Sequence, residues 1–478
     1  MKENWNRRDF LTGTAWMLGA AAVSGCAIDK PALGGGGMGS MCNFTVPPMK
    51  KVRVGFIGIG ERGTAAVERV SLLPGIETAA LCDLRPQQVD AAKKWLQEKK
   101  KPGAMKVFAG KEDSWKGVCD DDGVDVVYIA TPAQLHAEME IYALKSGKHV
   151  LVEVPGAQTI DEAYAIVEAC EKARRHCMML ENCCYGEMEM FAWNLAHKGL
   201  LGTLTHAEGG YIHNLVGRHL ENNFRNRAKF NGGVVHRYGN TYPTHGLGPI
   251  CMYMDMNRGD RMERIVSLSS LSAAHGEFAA AKYKPEEWQN RLQWLTGDIN
   301  TSIIKTAKGR TIMMQMDTST PRPYSRINLL QGTKGCFYDY PPRLALSSTP
   351  GEHAEWLSDD EFAKAREEYK HPLWKCVGEI AKKVGGHGGM DFIMDLRWAY
   401  CLQNGLPLDM DVYDLASWSA IVPCSAESDR RGGEPVEIPD FTRGGWKTAK
   451  PITDMSIDMQ KMRLDGDGDY EVNRQLSV

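Results

Sequence analysis

The sequence predicts an α/β protein of two domains, a doubly wound parallel sheet followed by an α+β domain with a mixed or antiparallel sheet. Three observations lead there. At 478 residues the chain is long for one domain and comfortable for two. Over 50–182, short apolar runs alternate with helix-spaced segments, the mark of parallel βαβ units. Beyond 182 the alternation weakens, and longer strand-like runs cover 205–212, 264–271, 301–306 and 311–317. Composition agrees, because 43% hydrophobic and 24% charged residues belong to a soluble globular chain rather than a disordered, fibrous or multi-span membrane protein. With 57 Lys+Arg against 60 Asp+Glu the formal charge is −3, so no global basic field points to nucleic acid.

Residues 1–26 read as an address, not as part of the fold. Asn6-Arg7-Arg8-Asp9-Phe10-Leu11 precedes an apolar stretch over 11–23 and resembles a twin-arginine export signal. That stretch is shorter than the roughly 20 residues a membrane helix needs. Val23-Ser24-Gly25-Cys26 looks like a lipobox with Cys26 as the lipidated residue; the alternative is cleavage near Ala22. A periplasmic or membrane-anchored protein is expected, touching the membrane only through lipid on Cys26. Residues 27–49, with glycines at 34–37, are expected to be a flexible linker that buries no core. The 13 cysteines have neither Cys-x-x-Cys pairs nor metal-like spacing, so no disulfide framework and no metal site are expected.

The domain over 50–182 opens on Lys51-Val52-Arg53-Val54-Gly55-Phe56-Ile57, which has the apolar density of a buried parallel strand. It runs into Gly58-Ile59-Gly60-Glu61-Arg62-Gly63 and then a segment of helical spacing. Strand, G-x-G-x-x-G and helix stand in the order of a Rossmann dinucleotide turn. Gly58 serves the tight turn, Gly60 the approach of a pyrophosphate, and Gly63 close packing of helix on strand. A second strand ends at Asp83, about 20 residues past Gly63, where a carboxylate receives ribose hydroxyls and repels a 2′-phosphate. NAD is therefore the expected cofactor, with Arg85 the one neighbour that points toward NADP. Later strands, 124–130 and 148–152, lead into Thr131-Pro132 and Glu153-Val154-Pro155. Loops at carboxyl ends of parallel strands bind ligand, so Thr131, His136, Glu153 and Asn182 are candidate contacts by position.

A Rossmann domain ending in a Glu-x-Pro loop and followed by a sheet domain resembles the glucose–fructose oxidoreductase/inositol dehydrogenase superfamily. Most members have Glu-Lys-Pro, whose lysine assists proton transfer; this chain has Glu153-Val154-Pro155. That departure is similar to one branch, glycoside hydrolase family 109, the NAD-dependent α-N-acetylgalactosaminidases. The resemblance is carried by Gly55-Phe56-Ile57-Gly58-Ile59-Gly60-Glu61-Arg62-Gly63, Glu153-Val154-Pro155, Met179-Leu180-Glu181-Asn182-Cys183-Cys184-Tyr185 and Glu208-Gly209-Gly210-Tyr211-Ile212-His213. It continues through Gly239-Asn240-Thr241-Tyr242-Pro243-Thr244-His245-Gly246-Leu247-Gly248-Pro249 and Thr320-Pro321-Arg322-Pro323-Tyr324-Ser325-Arg326.

The strand pattern beyond 182 predicts a substrate domain over 183–478, whose tail from about residue 392 packs back over the body, and the resemblance implies glycans ending in N-acetylgalactosamine as partners. It also implies a route unlike that of an ordinary glycosidase with two carboxylates across the scissile bond. Oxidation at sugar C3 acidifies the C2 proton, the glycosidic oxygen leaves by elimination, water adds, and the hydride returns. Family likeness assigns Glu61, Arg62, Asp83, Thr131, Gln134, Leu135, His136, Glu153, Val154 and Asn182 to the cofactor. It assigns Tyr211, Tyr242, His245 and Tyr324 to the sugar, with Pro243 and Thr244 of the same block as further substrate candidates; Arg237, or alternatively Arg225, is a candidate to orient the acetamido carbonyl or a sugar hydroxyl. His245 is the first choice for proton transfer, with the phenols of Tyr324 and Tyr211 as further catalytic candidates. Gly385-Gly386-His387-Gly388-Gly389 reads either as a loop closing over the sugar or as a surface turn. A sugar dehydrogenase and a non-catalytic glycan-binding lipoprotein are the rival readings, and a homodimer is plausible.

Overall fold

The computed structural model describes residues 39–101, 105–221, 234–235 and 238–458. The export signal, Cys26, Arg225 and Arg237 lie outside the described residues. The first domain runs β1 Val52–Ile57, α1 Glu61–Val70, β2 Ile76–Asp83, α2 Pro86–Glu98, β3 Lys106–Ala109, α3 Ser114–Cys119, β4 Val126–Ile129, α4 His136–Lys145, β5 His149–Val152, α5 Ile160–Ala173 and β6 Cys177–Met179. Its strands form one parallel sheet in the order β3-β2-β1-β4-β5-β6. Chain direction across the sheet reverses between β1 and β4, which opens the crevice where such sheets bind ligand. Helices cover both faces, so Val54, Phe56, Val126, Tyr128, Val150 and Leu151 are all buried.

The second domain begins with α6 Glu187–His197, β7 Leu204–Ile212, α7 Val216–His219, β8 Val234–Val235, α8 Thr244–Tyr253, β9 Met262–Ser269, α9 Ala274–Lys282 and β10 Gln293–Trp294. It continues with β11 Ile299–Thr306, β12 Thr311–Asp317, β13 Leu329–Gly332, β14 Gly335–Tyr338 and β15 Arg343–Leu346. Helices α10 Asp359–Tyr369, α11 Pro372–Val384, α12 Met390–Asn404, α13 Val412–Ser419 and α14 Ile421–Arg430 follow, then β16 Val436–Glu437. Eight strands form a mixed sheet, β15-β14-β13-β7-β12-β11-β9-β16, in which β7 and β12 are parallel and the other neighbours antiparallel. One face packs inward, and on β11 the alternation is clear: Ser302, Ile304 and Thr306 are buried while Ile303 is 54% exposed.

The tail returns to the first domain. On α12, Asp395 accepts a hydrogen bond from Arg69 of α1 at 3.0 Å, both side chains being buried. Residues 39–49 differ from the expected free linker. Met41 is 2% exposed, its amide donates to Tyr413 Oη at 3.2 Å, and Arg174 lies 4.4 Å over the Phe44 ring. Met49 then donates its amide to the Leu402 carbonyl at 3.0 Å. Four apolar side chains (Met41, Phe44, Val46 and Met49) give this stretch a reason to dock that the preceding glycines lack.

Candidate active site

The turn after β1 is built for close approach. Gly58 has φ +87°, and a Cβ on Gly63 would lie 1.8 Å from the Gly58 carbonyl oxygen. Around Gly60, by contrast, the nearest atom to an added Cβ is the Arg85 guanidinium at 3.7 Å. That open side, together with first-turn amides of α1 that have no intrahelical acceptor, fits a pyrophosphate. Asp83, 7% exposed, braces the turn: one oxygen accepts from the Ile59 amide at 2.7 Å, the other from the Arg85 amide at 2.8 Å. Its remaining acceptor capacity suits ribose hydroxyls. The residues present therefore fit NAD.

Beside this turn the structure places the other cofactor candidates. Gln134 and Leu135 are exposed after β4, and Thr131 is half-buried. His136 is 1% exposed, with its ring nitrogens each 2.9 Å from the carbonyls of Pro155 and Thr131. Burial lowers its pKa, and the ring ties the β4 and β5 loops together. Glu61 is exposed and receives Arg218 at 2.7 Å. Arg62 points inward, donating to Glu153 at 2.6 Å and to Asp391 of α12 at 2.5 Å. Asp391 also accepts from Asn182 at 2.5 Å and lies 3.0 Å from His387 Nδ1. Burial alone would raise the Asp391 carboxyl, yet His387, Arg62 and Arg69 hold it far below the carboxylate range. The five residues from Gly385 to Gly389 all have positive φ, between 47° and 105°. That left-handed turn, which demands its glycines, delivers His387 to Asp391.

The second group forms where α8 lies on β7. A Cβ on Gly246 would come within 2.4 Å of the Gly210 amide nitrogen, and one on Gly209 within 2.7 Å of the Gly246 carbonyl oxygen. These glycines let helix and strand touch by backbone, and His245 in the first turn of α8 then stands 5.4 Å, ring to ring, from Tyr211 of β7. Pro243 and Thr244 are buried at the start of the helix. Tyr242 lies 4.8 Å from the Tyr211 ring, its hydroxyl 3.5 Å from His245 Nε2. His245 Nδ1 is 2.7 Å from an oxygen of Glu181, which is fully buried just past β6 and also accepts from the Cys183 amide. Burial would raise the Glu181 carboxyl, but the imidazole and that amide hold it low. An ionised carboxylate only accepts, so Nδ1 carries the proton shared with Glu181, and Nε2 is turned to the Tyr242 hydroxyl.

Two further pairs complete the cluster. The Tyr211 hydroxyl lies 2.9 Å from His213 Nδ1. Burial, with Arg218, lowers the His213 pKa, and burial raises that of Tyr211, so the phenol donates to a neutral imidazole. Tyr324, 5.0 Å from the His213 ring, accepts from Arg326 at 2.7 Å, and Arg326 is held by buried Glu189 at 2.5 Å. Ligand-type atoms of Glu181, Cys183 and His245 also lie within 4.8 Å of one another, and in this structure Glu181 is hydrogen-bonded to His245. Sequence reasoning had not singled out Glu181, His213, Glu189, Arg326 or Asp391 as site residues. Glu181 carried a readable signal, since it follows a parallel strand beside Asn182.

Comparison with known proteins covers both halves of the chain. Residues 52–181 match the oxidoreductase family, NAD-binding Rossmann fold, and residues 185–448 match the glycosyl hydrolase 109 C-terminal domain. A glycosyl hydrolase family 109 protein of Shewanella pealeana is 43% identical over 456 residues, covering 94% of this chain and 98% of the relative. An alpha-N-acetylgalactosaminidase of Shewanella oneidensis is 41% identical over 457 residues, again covering 94% and 98%. Among solved structures, levoglucosan dehydrogenase in complex with NADH and levoglucosan superposes with a TM-score of 0.61 at 19% identity, covering 82% of this chain and all of the other. That last likeness speaks for the fold alone. An NAD-type dinucleotide turn joined to this imidazole and phenol cluster, in a chain so similar to these relatives, makes it an NAD-binding enzyme that belongs to glycosyl hydrolase family 109.

Proposed function

We propose that the protein hydrolyses terminal α-N-acetylgalactosamine from glycans by oxidation, elimination, addition and reduction, with no net redox change. The Glu181–His245 pair set among three tyrosines carries this reading. A pair of free carboxylates would suit a conventional glycosidase, but Glu181 and Glu153 are committed to His245 and Arg62. Bound NAD supplies a reversible acceptor for the hydrogen at sugar C3, and the resulting ketone acidifies C2–H. His245 Nε2 takes the C3 hydroxyl proton, while Glu181 stabilises the imidazolium. Tyr211 takes the C2 proton as its own proton passes to the neutral Nδ1 of His213, so the pair accepts one proton in all and gives it back when water has added. Tyr324, its O–H polarised by the Arg326 guanidinium, gives a proton to the departing glycosidic oxygen. Near the turn, the α1 amides, Asp83 and Asn182 are the groups that would hold the nucleotide.

Hydrolysis in heavy water tests the route. N-acetylgalactosamine released with deuterium at C2, without a net change in NADH absorbance, is the expected result. Release without label would exclude elimination, and steady accumulation of NADH would make the protein a sugar dehydrogenase. The same reading includes twin-arginine export, lipidation at Cys26 and a homodimer. Support comes from the N-terminal motif and from the outer sheet face, where Leu268 and Ile303 are each 54% exposed. Cys26→Ser with metabolic lipid labelling tests the anchor, and light scattering of the mature protein tests the dimer.

A further inference from the structure

Asp391, in the first turn of α12 and 1% exposed, is filled by partners from three places in the fold. Its Oδ1 accepts from Asn182 Nδ2 at 2.5 Å and from Arg62 Nη2 at 3.4 Å. Its Oδ2 accepts from Arg62 Nη1 at 2.5 Å and lies 3.0 Å from His387 Nδ1. Two partners on each oxygen use the roughly four lone-pair sites of a carboxylate. A ligand in the crevice thus finds no acceptor left on Asp391 itself. What this group does for a bound dinucleotide, it does through the side chains it holds.

Among those side chains, Asn182 is the one whose orientation matters most. A side-chain amide has an N–H end and a C=O end of nearly the same shape, and its partners decide which faces where. An ionised carboxylate only accepts, so Nδ2 is the end that meets Asp391. Turning the amide over would set oxygen against oxygen around a residue that is 3% exposed. Oδ1 is the other end, where the Cys183 thiol at 3.6 Å is a weak donor and leaves acceptor capacity unused. Position says what uses that capacity. Asp83 closes β2 and suits the adenosine ribose, so a dinucleotide laid across the crevice puts its nicotinamide half on the side of β4 to β6. Asn182 stands on that side, three residues past β6 and next to the Glu181 that reaches His245. The carboxamide of the nicotinamide carries the N–H that such an oxygen needs.

We propose that Asp391 is a positioning residue that fixes the Asn182 amide with Oδ1 toward the cofactor, where it accepts from the carboxamide N–H of bound NAD. The inference rests on NAD binding and not on the hydrolytic route, so its test involves no glycan. Holoenzyme is equilibrated with mixtures of NAD and 3-acetylpyridine adenine dinucleotide, in which a methyl group replaces the carboxamide NH2, and the protein-bound nucleotides are measured after gel filtration. Wild type is expected to favour NAD about tenfold, the scale of one hydrogen bond with a buried acceptor left unmade. In Asn182→Ala, which keeps the ion pairs of Asp391, the preference should fall to about one. In Asp391→Asn the new amide sets an N–H against that of Asn182, which turns over and offers N–H to the carbonyl of either dinucleotide, so the preference should again fall to about one. The double variant should match Asn182→Ala, because nothing remains for Asp391 to act through. A merely structural Asp391 would weaken both dinucleotides alike, and a preference retained in Asp391→Asn overturns the proposal. So does a wild type that holds the two equally, or an Asn182→Ala that still favours NAD, since the oxygen would then serve a ribose hydroxyl or no ligand at all.

Discussion

The cofactor end and the proposed sugar end of the site are held by opposite means. Around the dinucleotide turn the charges are saturated: Arg62 meets Glu153 and Asp391, Arg69 meets Asp395, and Asp83 meets Arg85. Nothing there has a proton to spare at neutral pH. Around the sugar the groups are phenols and imidazoles, each linked to one partner and keeping a second valence open: Tyr211 with His213, Tyr324 with Arg326, His245 with Glu181. The first arrangement makes a rigid seat, and the second makes a set of transferable protons. Binding and chemistry are thereby placed in separate hands.

Replacements should fall on opposite sides of that division. The largest effect is expected at His245: His245→Ala should lower kcat by about a thousandfold, within the range of general acid–base catalysis, while bound nucleotide measured after gel filtration is unchanged. Glu181→Gln should cost roughly a hundredfold in kcat with little change in KM, and the acid limb of the pH–rate profile should move, because the imidazolium loses its counter-charge. A drop in kcat with an unmoved profile would make Glu181 a mere packing residue. On the cofactor side, Asp83→Ala should weaken NAD binding about tenfold, the worth of one charge-assisted hydrogen bond, and added NAD should restore the rate. If added nucleotide fails to rescue, the division between the two ends is wrong.

The smallest effect concerns the nucleotide domain alone. Burial holds His149 at a pKa of about 4 and His176 at about 3, against an ordinary value of 6.5. Folded, both rings stay neutral where the unfolded chain binds protons, so their contribution is complete above pH 6.5 and is lost as pH falls toward 4. Calorimetry between pH 7 and pH 4.5 should show a shallower loss of stability in His176→Phe than in wild type, by about 1–2 kcal/mol. Parallel profiles would show that the ring is not the proton acceptor.

Legibility followed the range of the interactions. The dinucleotide turn was readable because Gly58, Gly60, Gly63 and Asp83 act through local backbone geometry and one strand length. The strand over 311–317 was likewise visible, from its alternation, and it is β12. The short strands β3, β6 and β13 to β15 escaped, since three or four residues are too few to show a period. Tyr211, Tyr242, His245 and Tyr324 came from family resemblance, and the structure brings them together. Their partners stayed hidden because Glu181 reaches His245 across 64 residues and Glu189 reaches Arg326 across 137. No spacing rule covers such separations. The 39–49 arm was misread for a related reason: its docking surface is made by Arg174, Leu402 and Tyr413, all far along the chain.

Glu181 stands two residues past the last strand of the first sheet, and His245 lies in the first turn of a helix of the second domain. The proposed acid–base unit therefore straddles a seam, and neither half of the chain owns it. A chimera that took its nucleotide half from a dehydrogenase of the same architecture would keep all three tyrosines and the imidazole, yet would strip His245 of its counter-ion unless the donor placed a carboxylate just past its sixth strand. Reaction type in this scaffold is thus inherited as a matched pair of modules, and shuffling one alone would transplant the shape without the reactivity.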